Sequence, residues 1–269
     1  MPIKQKQALT IMGMSGVGKT TLSRKLPRNK WFHYSGDYRI ATHYLADAIG
    51  DFLKHEAMQS AVLKGLLKSD SVSVTPNVSI DNLAVVSAFI GKLGKTALGG
   101  TPLATFQQRQ ALHHRAEVAA TYDIGYFKQR AQSIYGYDYF LHDAGGSICE
   151  LDDEAAIEYV SRETQIIYLH ADDEMIADIT QRALDYPKPL YYKNDFIRQQ
   201  IKTYVDEVGL PHIDAAVPDE FIRYVVPKLM QHRSQRYLSI AERYGKIIDA
   251  KDIFAVRDEK DFLALIEQR

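Results

Sequence analysis

A glycine-rich stretch, Gly13-Met-Ser-Gly-Val-Gly-Lys-Thr20, constrains the fold of this chain more than any other feature. It lies between Ala8–Met12, an apolar run typical of a buried strand, and Thr21–Leu26, a helical pattern that Pro27 ends. Glycines let the backbone turn tightly beside an anion, and the free N–H groups at a helix start attract phosphate oxygens. The pattern G-x-x-x-x-G-K-[ST] between a strand and a helix therefore predicts a phosphate-binding loop.

This loop is expected to bind ATP together with Mg²⁺. Lys19 would supply positive charge to the outer phosphates, and the Thr20 hydroxyl would ligate Mg²⁺. The other loop residues expected to contact the nucleotide are Gly13, Ser15, Gly16, Val17, Gly18 and Thr21. The alternative is a glycine-rich turn that carries Lys-Thr by chance.

The composition argues against several other functions. Lys and Arg number 33 against 34 Asp and Glu, so there is no general attraction to nucleic acid or to an anionic membrane. Cys149 is the only cysteine, which excludes an intrachain disulfide and a cysteine-based zinc site. Residues 1–7 lack the apolar stretch of a signal peptide, and the longest apolar run, Leu83–Ile90, is too short to span a bilayer. We therefore expect a soluble, cytoplasmic protein.

Five apolar segments rich in aromatic and β-branched residues predict a parallel sheet. They are Ala8–Met12, Trp31–Tyr34, Tyr137–His142, Gln165–His170 and Lys246–Ile248. Helical patterns separate them, which predicts an α/β fold, a three-layer P-loop NTPase sandwich with a five-stranded sheet.

The spacing of the strands predicts a single domain over residues 1–269 with two helical insertions, because the gaps exceed what one crossover needs. The first insertion covers about 45–135 and the second, which resembles a lid, about 181–243. Expected helices are Ile49–Leu67, one capped by Asp81 or Asn82 and ending at Leu93, one capped by Thr101 and ending near Tyr122, and Asp258–Gln268. Ser69–Ser79 is expected to be a loop.

The segment Ser35-Gly-Asp37-Tyr-Arg39 follows the second strand, at the sheet edge where open α/β folds bind ligands. The Asp37 carboxylate could orient or deprotonate a substrate hydroxyl, or hold Mg²⁺ through water. Arg39 could bind an anionic group of the substrate. Alternatively, Gly-Asp forms a turn and the two charges pair at the surface.

The third strand ends in Asp143, followed by Ala144, Gly145, Gly146 and Ser147. An apolar strand that ends in Asp is typical of a second Mg²⁺-holding carboxylate, which would act with Thr20. The two glycines would let the backbone approach a ligand closely. The alternative is an Asp that only caps the following turn.

Basic residues after the fourth strand are candidates for stabilising the transferring phosphate from a mobile lid. Arg182 is the first choice and Lys193 the second, with Lys188 between them. A solvated surface position is the alternative for each.

A further basic group lies in the first insertion: Arg109, His113, His114 and Arg115. Arg109 and His113 share a helix face and could bind an anionic substrate; the alternative, which we prefer, is an exposed polar helix face. The histidines lack a partner motif for zinc.

Together these segments resemble the P-loop kinases of small metabolites, a group that includes shikimate, gluconate and adenylate kinases. The resemblance implies that Asp37 activates the acceptor, that Gly145 and Gly146 line the acceptor pocket, and that Asp249–Ala255 flanks the adenine. The motifs HYSGDYRIATHYL and DAGGSICEL are also similar to bacterial proteins described only as ATPases. The long first insertion and the absence of a paired-arginine lid depart from the kinases.

Three functions follow from these observations. The first is a phosphotransferase that moves the γ-phosphate of Mg-ATP to a hydroxyl of a small molecule. The second is an ATPase or nucleotide switch with a protein partner; Asp143-Ala-Gly-Gly146 fits the D-x-x-G of GTP switches, but no guanine-reading N-K-x-D follows. The third is a polynucleotide kinase, for which Tyr191, Tyr192, Lys193 and Arg198 are suggestive and the neutral net charge unfavourable.

Overall fold

The computed structural model describes residues 8–267, which contain a five-stranded parallel sheet in the order β2-β3-β1-β4-β5. The strands are β1 (Ala8–Met12), β2 (Trp31–Ser35), β3 (Tyr139–Asp143), β4 (Gln165–His170) and β5 (Gly245–Asp249). All five predicted strands are confirmed, with small shifts at their ends. Central β1 pairs with both β3 and β4, so Ile11 lies beside Asp143 and Met12 beside Tyr168.

Helices between the strands complete a three-layer α/β fold around the parallel sheet. In chain order they are α1 (Lys19–Lys25), α2 (Gly36–Arg39), α3 (Ala46–Ala57), α4 (Ala61–Lys68), α5 (Ala84–Ile90), α6 (Leu103–Ser133), α7 (Glu154–Glu163), α8 (Asp173–Asp185), α9 (Asn194–Val208), α10 (Pro218–Tyr244), α11 (Ala250–Ala255) and α12 (Glu259–Glu267).

The first insertion differs in detail from its predicted helices. The predicted helix Ile49–Leu67 is two helices, α3 and α4, and the hydroxyl of Ser60 caps the second by accepting from Leu63 N–H at 3.4 Å. The cap predicted at Thr101 is also wrong. Instead, Leu103 N–H at the start of α6 donates to Asp214 Oδ1 at 2.7 Å. Ser69–Ser79 contains no helix, and its one bridge, from Ser79 to Asn82, is isolated, as expected of a loop.

Helix α6 continues eleven residues beyond its predicted end at Tyr122. The extra turns persist because they pack on the sheet: Ile124 and Ala131 are buried in the main core, and the Phe127 ring stacks on Phe32. The length matters for the site, since the middle of this helix lies beside the carboxyl ends of the strands.

The two insertions share a second hydrophobic core. Phe106 of α6 packs with Tyr192, Ile197 of α9 and Phe221 of α10. Helix α10 also contacts β4 and β5, which joins this second core to the sheet. The insertions are therefore fixed to each other as well as to the sheet.

The last helix, α12, packs beside the start of β2. The Trp31 ring stacks on Tyr139 at 4.5 Å, and its indole N–H donates to Glu259 Oε1 at 2.8 Å. Across residues 8–267, no helix combines the length and the apolar character needed to cross a membrane.

Candidate functional site at the phosphate-binding loop

A cavity of about 870 Å³ lies at the carboxyl edge of the sheet, where the loops after β1, β2 and β3 meet. Its lining combines the glycine-rich loop, the acidic residues after β2 and β3, and one face of α8. The lining residues are Ser15, Gly16, Gly18, Lys19, Thr20, Thr21, Ser35, Asp37, Ile80, Leu83, Asp143, Ala144, Gly146, Met175, Asp178, Gln181, Arg182 and Phe254. This is the edge at which open α/β sheets bind ligands.

The glycine-rich loop has the backbone that its sequence predicts. Gly13, Gly16 and Gly18 have φ angles of 151°, 94° and 99°, which residues with a side chain rarely adopt. Gly18 is the N-cap of α1, and no side chain satisfies the N–H groups that follow it. These groups remain free to bind an anion.

Lys19 lies across the inside of this loop. Its ammonium donates to the carbonyl oxygens of Gly13 at 2.7 Å and Met14 at 3.1 Å. Burial lowers the pKa of Lys19, while the carboxylates of Asp143 and Asp37 oppose that shift. The charged ammonium is thus held among acceptors, in a position to bind phosphate oxygens.

The predicted nucleotide contacts divide into two groups. Ser15, Gly16, Gly18, Lys19, Thr20 and Thr21 line the cavity. Val17 does not, because its side chain is fully buried in the main core, and Gly13 is buried beneath the loop against Leu169. Neither residue presents a side chain to the cavity.

Thr20 and Asp143 lie together as predicted for a magnesium site. The Thr20 hydroxyl donates to Asp143 Oδ2 at 3.4 Å. His33 Nε2 is 3.8 Å from the same oxygen, but burial lowers the pKa of His33, so this imidazole is neutral at pH 7 and forms no ion pair. A hydroxyl and a carboxylate are the oxygen donors that Mg²⁺ prefers.

Within the described residues, no group of three or more His, Cys, Asp or Glu side chains could hold a metal alone. A cation at Thr20 and Asp143 would therefore need further oxygens from phosphates and water, as Mg²⁺ bound with a nucleotide does. The residues present fit such an ion.

Asp37 also lines the cavity and lies in the first turn of α2. Burial raises its pKa to about 6, and the negative charge of Asp143 adds to the rise while Lys19 opposes it. A carboxyl with a pKa near neutrality can take a proton from a hydroxyl and release it again.

Gly145 packs against Asp37, and Gly146 packs against the phosphate-binding loop. A β-carbon on Gly145 would lie 2.6 Å from Asp37 Oδ1, so only glycine allows the carboxylate to approach the chain there. Gly146 lines the cavity, facing Ser15 of the phosphate-binding loop. The predicted glycine cluster is thus adjacent to Asp37.

Glu117 is a site residue that sequence reasoning missed. It is buried on α6, with Oε1 3.0 Å from the position of a β-carbon on Gly145. The Ser147 hydroxyl lies 2.9 Å from Oε1 and 2.8 Å from Oε2. Burial and the charge of Asp37 raise the pKa of Glu117 to about 8, so it carries a proton at neutral pH.

Arg39 does not lie at the cavity. Its Nε donates to Asp123 Oδ2 at 2.7 Å, and its guanidinium lies over the rings of Tyr44 and Phe127. The surface pairing with Asp37 that we considered is also wrong, because Asp123 of α6 is the partner. Arg39 therefore holds α2 against α6 and is not placed to bind a ligand in the cavity.

The three basic lid candidates lie in different places. Arg182 of α8 lines the cavity, and one guanidinium nitrogen is 3.4 Å from where a β-carbon on Gly16 would be. Lys188 is exposed and lines neither this cavity nor the one beside α9. Lys193 pairs with Asp152 at 2.9 Å, away from the phosphate-binding loop.

The segment Asp249–Ala255 is mostly helical, since α11 begins at Ala250. Phe254 in this helix lines the cavity, and its ring lies 3.5 Å from the position of a β-carbon on Gly18. An exposed aromatic ring beside the loop offers a flat apolar surface to a nucleotide base.

The basic group of α6 is not a uniform exposed face. His113 is buried and stacks on Tyr191 at 4.9 Å, and Arg109 lies over the rings of Phe52 and Phe89. His114 and Arg115 line a separate cavity. None of the four lines the phosphate-loop cavity.

Comparisons with known proteins gave two similarities, one to a family model and one to a solved structure. A family model described as PduV-EutP, ethanolamine utilisation and propanediol utilisation, matches residues 6–119, which is fewer than half of the 269 residues. Among solved structures, shikimate kinase from Bacteroides thetaiotaomicron aligns over 97% of this chain and 95% of its own, with 13% identity and a TM-score of 0.40. A search of curated proteins found no match.

Proposed function

We propose that this protein transfers the γ-phosphate of Mg-ATP to a hydroxyl group of a small molecule. The observation that carries the proposal is the position of Asp37. Its carboxyl shares one cavity with Lys19 and with the Thr20–Asp143 pair, and Gly145 makes room for it. A nucleotide-binding loop needs no such carboxyl to bind ATP, whereas a phosphotransferase needs a group that orients and deprotonates the acceptor.

In this mechanism the phosphates lie on the free N–H groups after Gly18, with Lys19 on the outer phosphates and Thr20 and Asp143 as ligands of Mg²⁺. The bound Mg²⁺ would neutralise charge on the β- and γ-phosphates. Asp37 takes the proton of the acceptor hydroxyl while the hydroxyl oxygen of the acceptor forms a bond to the γ-phosphorus. The bond from phosphorus to the bridging oxygen breaks, and ADP leaves.

Arg182 and the insertions have a supporting role in the proposal. The guanidinium lies above Gly16, where it can stabilise negative charge on the transferring group. Residues Ile80 and Leu83 of the first insertion and Met175 of α8 add apolar surface to the cavity. Such surface excludes water, which would otherwise compete with the acceptor for the γ-phosphate.

The test is ATP turnover by the purified protein with Mg²⁺, alone and with pooled small hydroxylated metabolites, following both free phosphate and labelled products. A labelled metabolite that forms only with the pool supports the proposal and starts to identify the acceptor. Hydrolysis that no metabolite changes would instead indicate an ATPase that acts with a protein partner.

The Asp37→Asn variant sharpens this test because the amide keeps the size of the side chain and cannot accept the proton. We expect it to abolish transfer while Mg-ATP still binds. Transfer at the wild-type rate would remove Asp37 from the mechanism. Asp81→Asn is a matched control, since Asp81 is exposed and does not line the phosphate-loop cavity.

A further inference from the structure

A second cavity, of about 570 Å³, lies between α6 and α9, where the two insertions meet. This volume is within the range of small-molecule sites in proteins. Phosphate-loop residues take no part in its lining, and the two cavities share no lining residue. The function proposed above therefore leaves it without a role.

One wall of this second cavity is apolar. Phe106 and Ala111 of α6 face Tyr192 and the α9 residues Ile197 and Ile201. Phe106, Tyr192 and Ile197 belong to the core that joins the insertions, so this wall is rigid. A ligand with an apolar body would gain burial there without reorganising the protein.

The polar side of the cavity carries excess positive charge. Two of its acids already have cationic partners: Glu150 pairs with Arg233 at 2.9 Å, and Asp152 pairs with Lys193 at 2.9 Å and Arg236 at 3.5 Å. The net charge of the cavity therefore depends on its other charged lining residues.

The remaining charged lining residues are Arg115, Arg198 and Asp195. Within residues 8–267, none of the three forms an ion pair or a side-chain hydrogen bond. Two unpaired guanidinium groups against one carboxylate leave the cavity positive. Asp195 lies in the first turn of α9, where the helix dipole stabilises its negative charge. A guanidinium group is well suited to bind a carboxylate or a phosphate with two hydrogen bonds.

A ligand in this cavity would be separated from the phosphate-binding loop by buried side chains. His113 stacks on Tyr191, which lines the second cavity, and His113 Nδ1 is 3.8 Å from Glu117 Oε2, beside Gly145. A phosphate acceptor must approach the γ-phosphate closely. The ligand of the second cavity is therefore not the acceptor.

We propose that this cavity binds an organic anion with an apolar body, whose acid group lies on Arg115 and Arg198 and whose body packs on Ala111 and Ile201, apolar lining residues that keep exposed surface. The proposal does not depend on the phosphotransferase function, because binding is measured without nucleotide. Octanoate is the probe, since it joins a carboxylate to an apolar chain.

The experiment is isothermal titration of the full-length protein with octanoate, and separately with 1-octanol, which keeps the chain and lacks the charge. We expect saturable octanoate binding and at least about fivefold weaker octanol binding, because the charged hydrogen bonds are lost. Equal affinities, or no saturable octanoate binding up to millimolar concentrations, would overturn the proposal.

Variants locate the binding. Arg115→Gln and Arg198→Gln should each weaken octanoate binding by about threefold to tenfold, because both side chains are exposed enough for water to screen them. Lys202→Gln is the matched control: this residue is exposed on α9 and does not line the cavity. Lys19→Met should bind octanoate normally. Loss of binding in Lys19→Met, with wild-type binding in the arginine variants, would place octanoate on the phosphate-binding loop and refute the proposed site.

Discussion

Asp37 and Glu117 converge on the α-carbon of Gly145, where a β-carbon would lie 2.6 Å from Asp37 Oδ1 and 3.0 Å from Glu117 Oε1. The two acids come from different parts of the fold, Asp37 from the end of β2 and Glu117 from the long insertion helix. Burial and the charge of Asp37 disfavour ionisation of Glu117, so Glu117 retains a proton at pH values at which an isolated glutamate is charged. The insertion helix therefore places a second, protonated carboxyl beside the carboxyl that we propose as the base.

The first prediction concerns Gly145→Ala. The added methyl group must displace one of the two carboxyl groups, and a displacement of about 1 Å at a reacting group costs about a hundredfold in rate. We expect phosphate transfer to fall by about that factor, with Mg-ATP affinity unchanged because Gly145 does not line the phosphate-loop cavity. Turnover and calorimetric binding of Mg-ATP measure the two effects separately.

Gly65→Ala is the control for this variant. Gly65 lies in exposed α4 with nothing near the position of its β-carbon, so the change should stabilise the helix by up to about 1 kcal/mol and leave turnover unaltered. Wild-type transfer by Gly145→Ala would show that the packing of Asp37 against this glycine is unimportant.

The second prediction concerns the pH dependence of stability. Folding raises the pKa of Glu117 from 4.5 to about 8, so between these values the folded protein binds more protons than the unfolded chain. The free energy of unfolding therefore falls as pH rises through this window, and the Glu117 contribution to that fall is complete above about pH 8. Glu117→Gln removes this contribution.

Urea unfolding of wild type and Glu117→Gln between pH 5 and pH 9 tests this. We expect the stability of the variant relative to wild type to increase with pH across the window. Glu163→Gln is a control, because Glu163 is a partly exposed acid paired with Lys128. A difference between wild type and Glu117→Gln that stays constant with pH would mean that Glu117 is ionised in the folded protein.

Much of this site could be predicted from sequence because it follows from the ends of parallel strands. Lys19 and Asp37 lie in the segments that follow β1 and β2, and Asp143 is the last residue of β3; parallel strands bring their carboxyl ends to one edge. The chemistry of these positions then follows from residue type. The same logic placed the glycines after β3 at this edge, where Gly145 packs against Asp37.

Glu117 and Arg39 show where this logic stops. Whether α6 turns a polar residue toward the sheet or toward solvent depends on its packing with the other insertion helices, which local sequence does not encode. His113 and Glu117 are one helical turn apart and both are buried. Their spacing is visible in the sequence, but it does not show whether the helix face that they share is buried or exposed. Arg39 has the right position after β2, but its partner Asp123 is 84 residues away.

The third prediction separates the two leading candidates for a basic lid residue. Arg182→Ala should lower ATP turnover by at least about tenfold, because its guanidinium lies at the phosphate-binding loop and would stabilise charge on the transferring group. Lys193→Ala should leave turnover within about twofold of wild type, since Lys193 pairs with Asp152 at the second cavity. Steady-state kinetics at saturating Mg-ATP gives both values. The reverse order of effects would mean that the second insertion moves Lys193 to the phosphates during turnover.

The fourth prediction concerns Lys19, whose ammonium is held by the carbonyl oxygens of Gly13 and Met14. Lys19→Met keeps the length and the apolar stem of the side chain and removes its charge. We expect Mg-ATP affinity to fall by about tenfold to a hundredfold, the effect of losing one or two charged hydrogen bonds.

The stability of Lys19→Met should change little or rise, because burial of the ammonium already disfavours its charged form. Calorimetric titration with Mg-ATP and urea unfolding measure these quantities, and Lys64→Met on exposed α4 is the control for loss of a positive charge. Mg-ATP affinity that falls equally in both variants would show that general charge, and not the phosphate-binding loop, determines nucleotide binding.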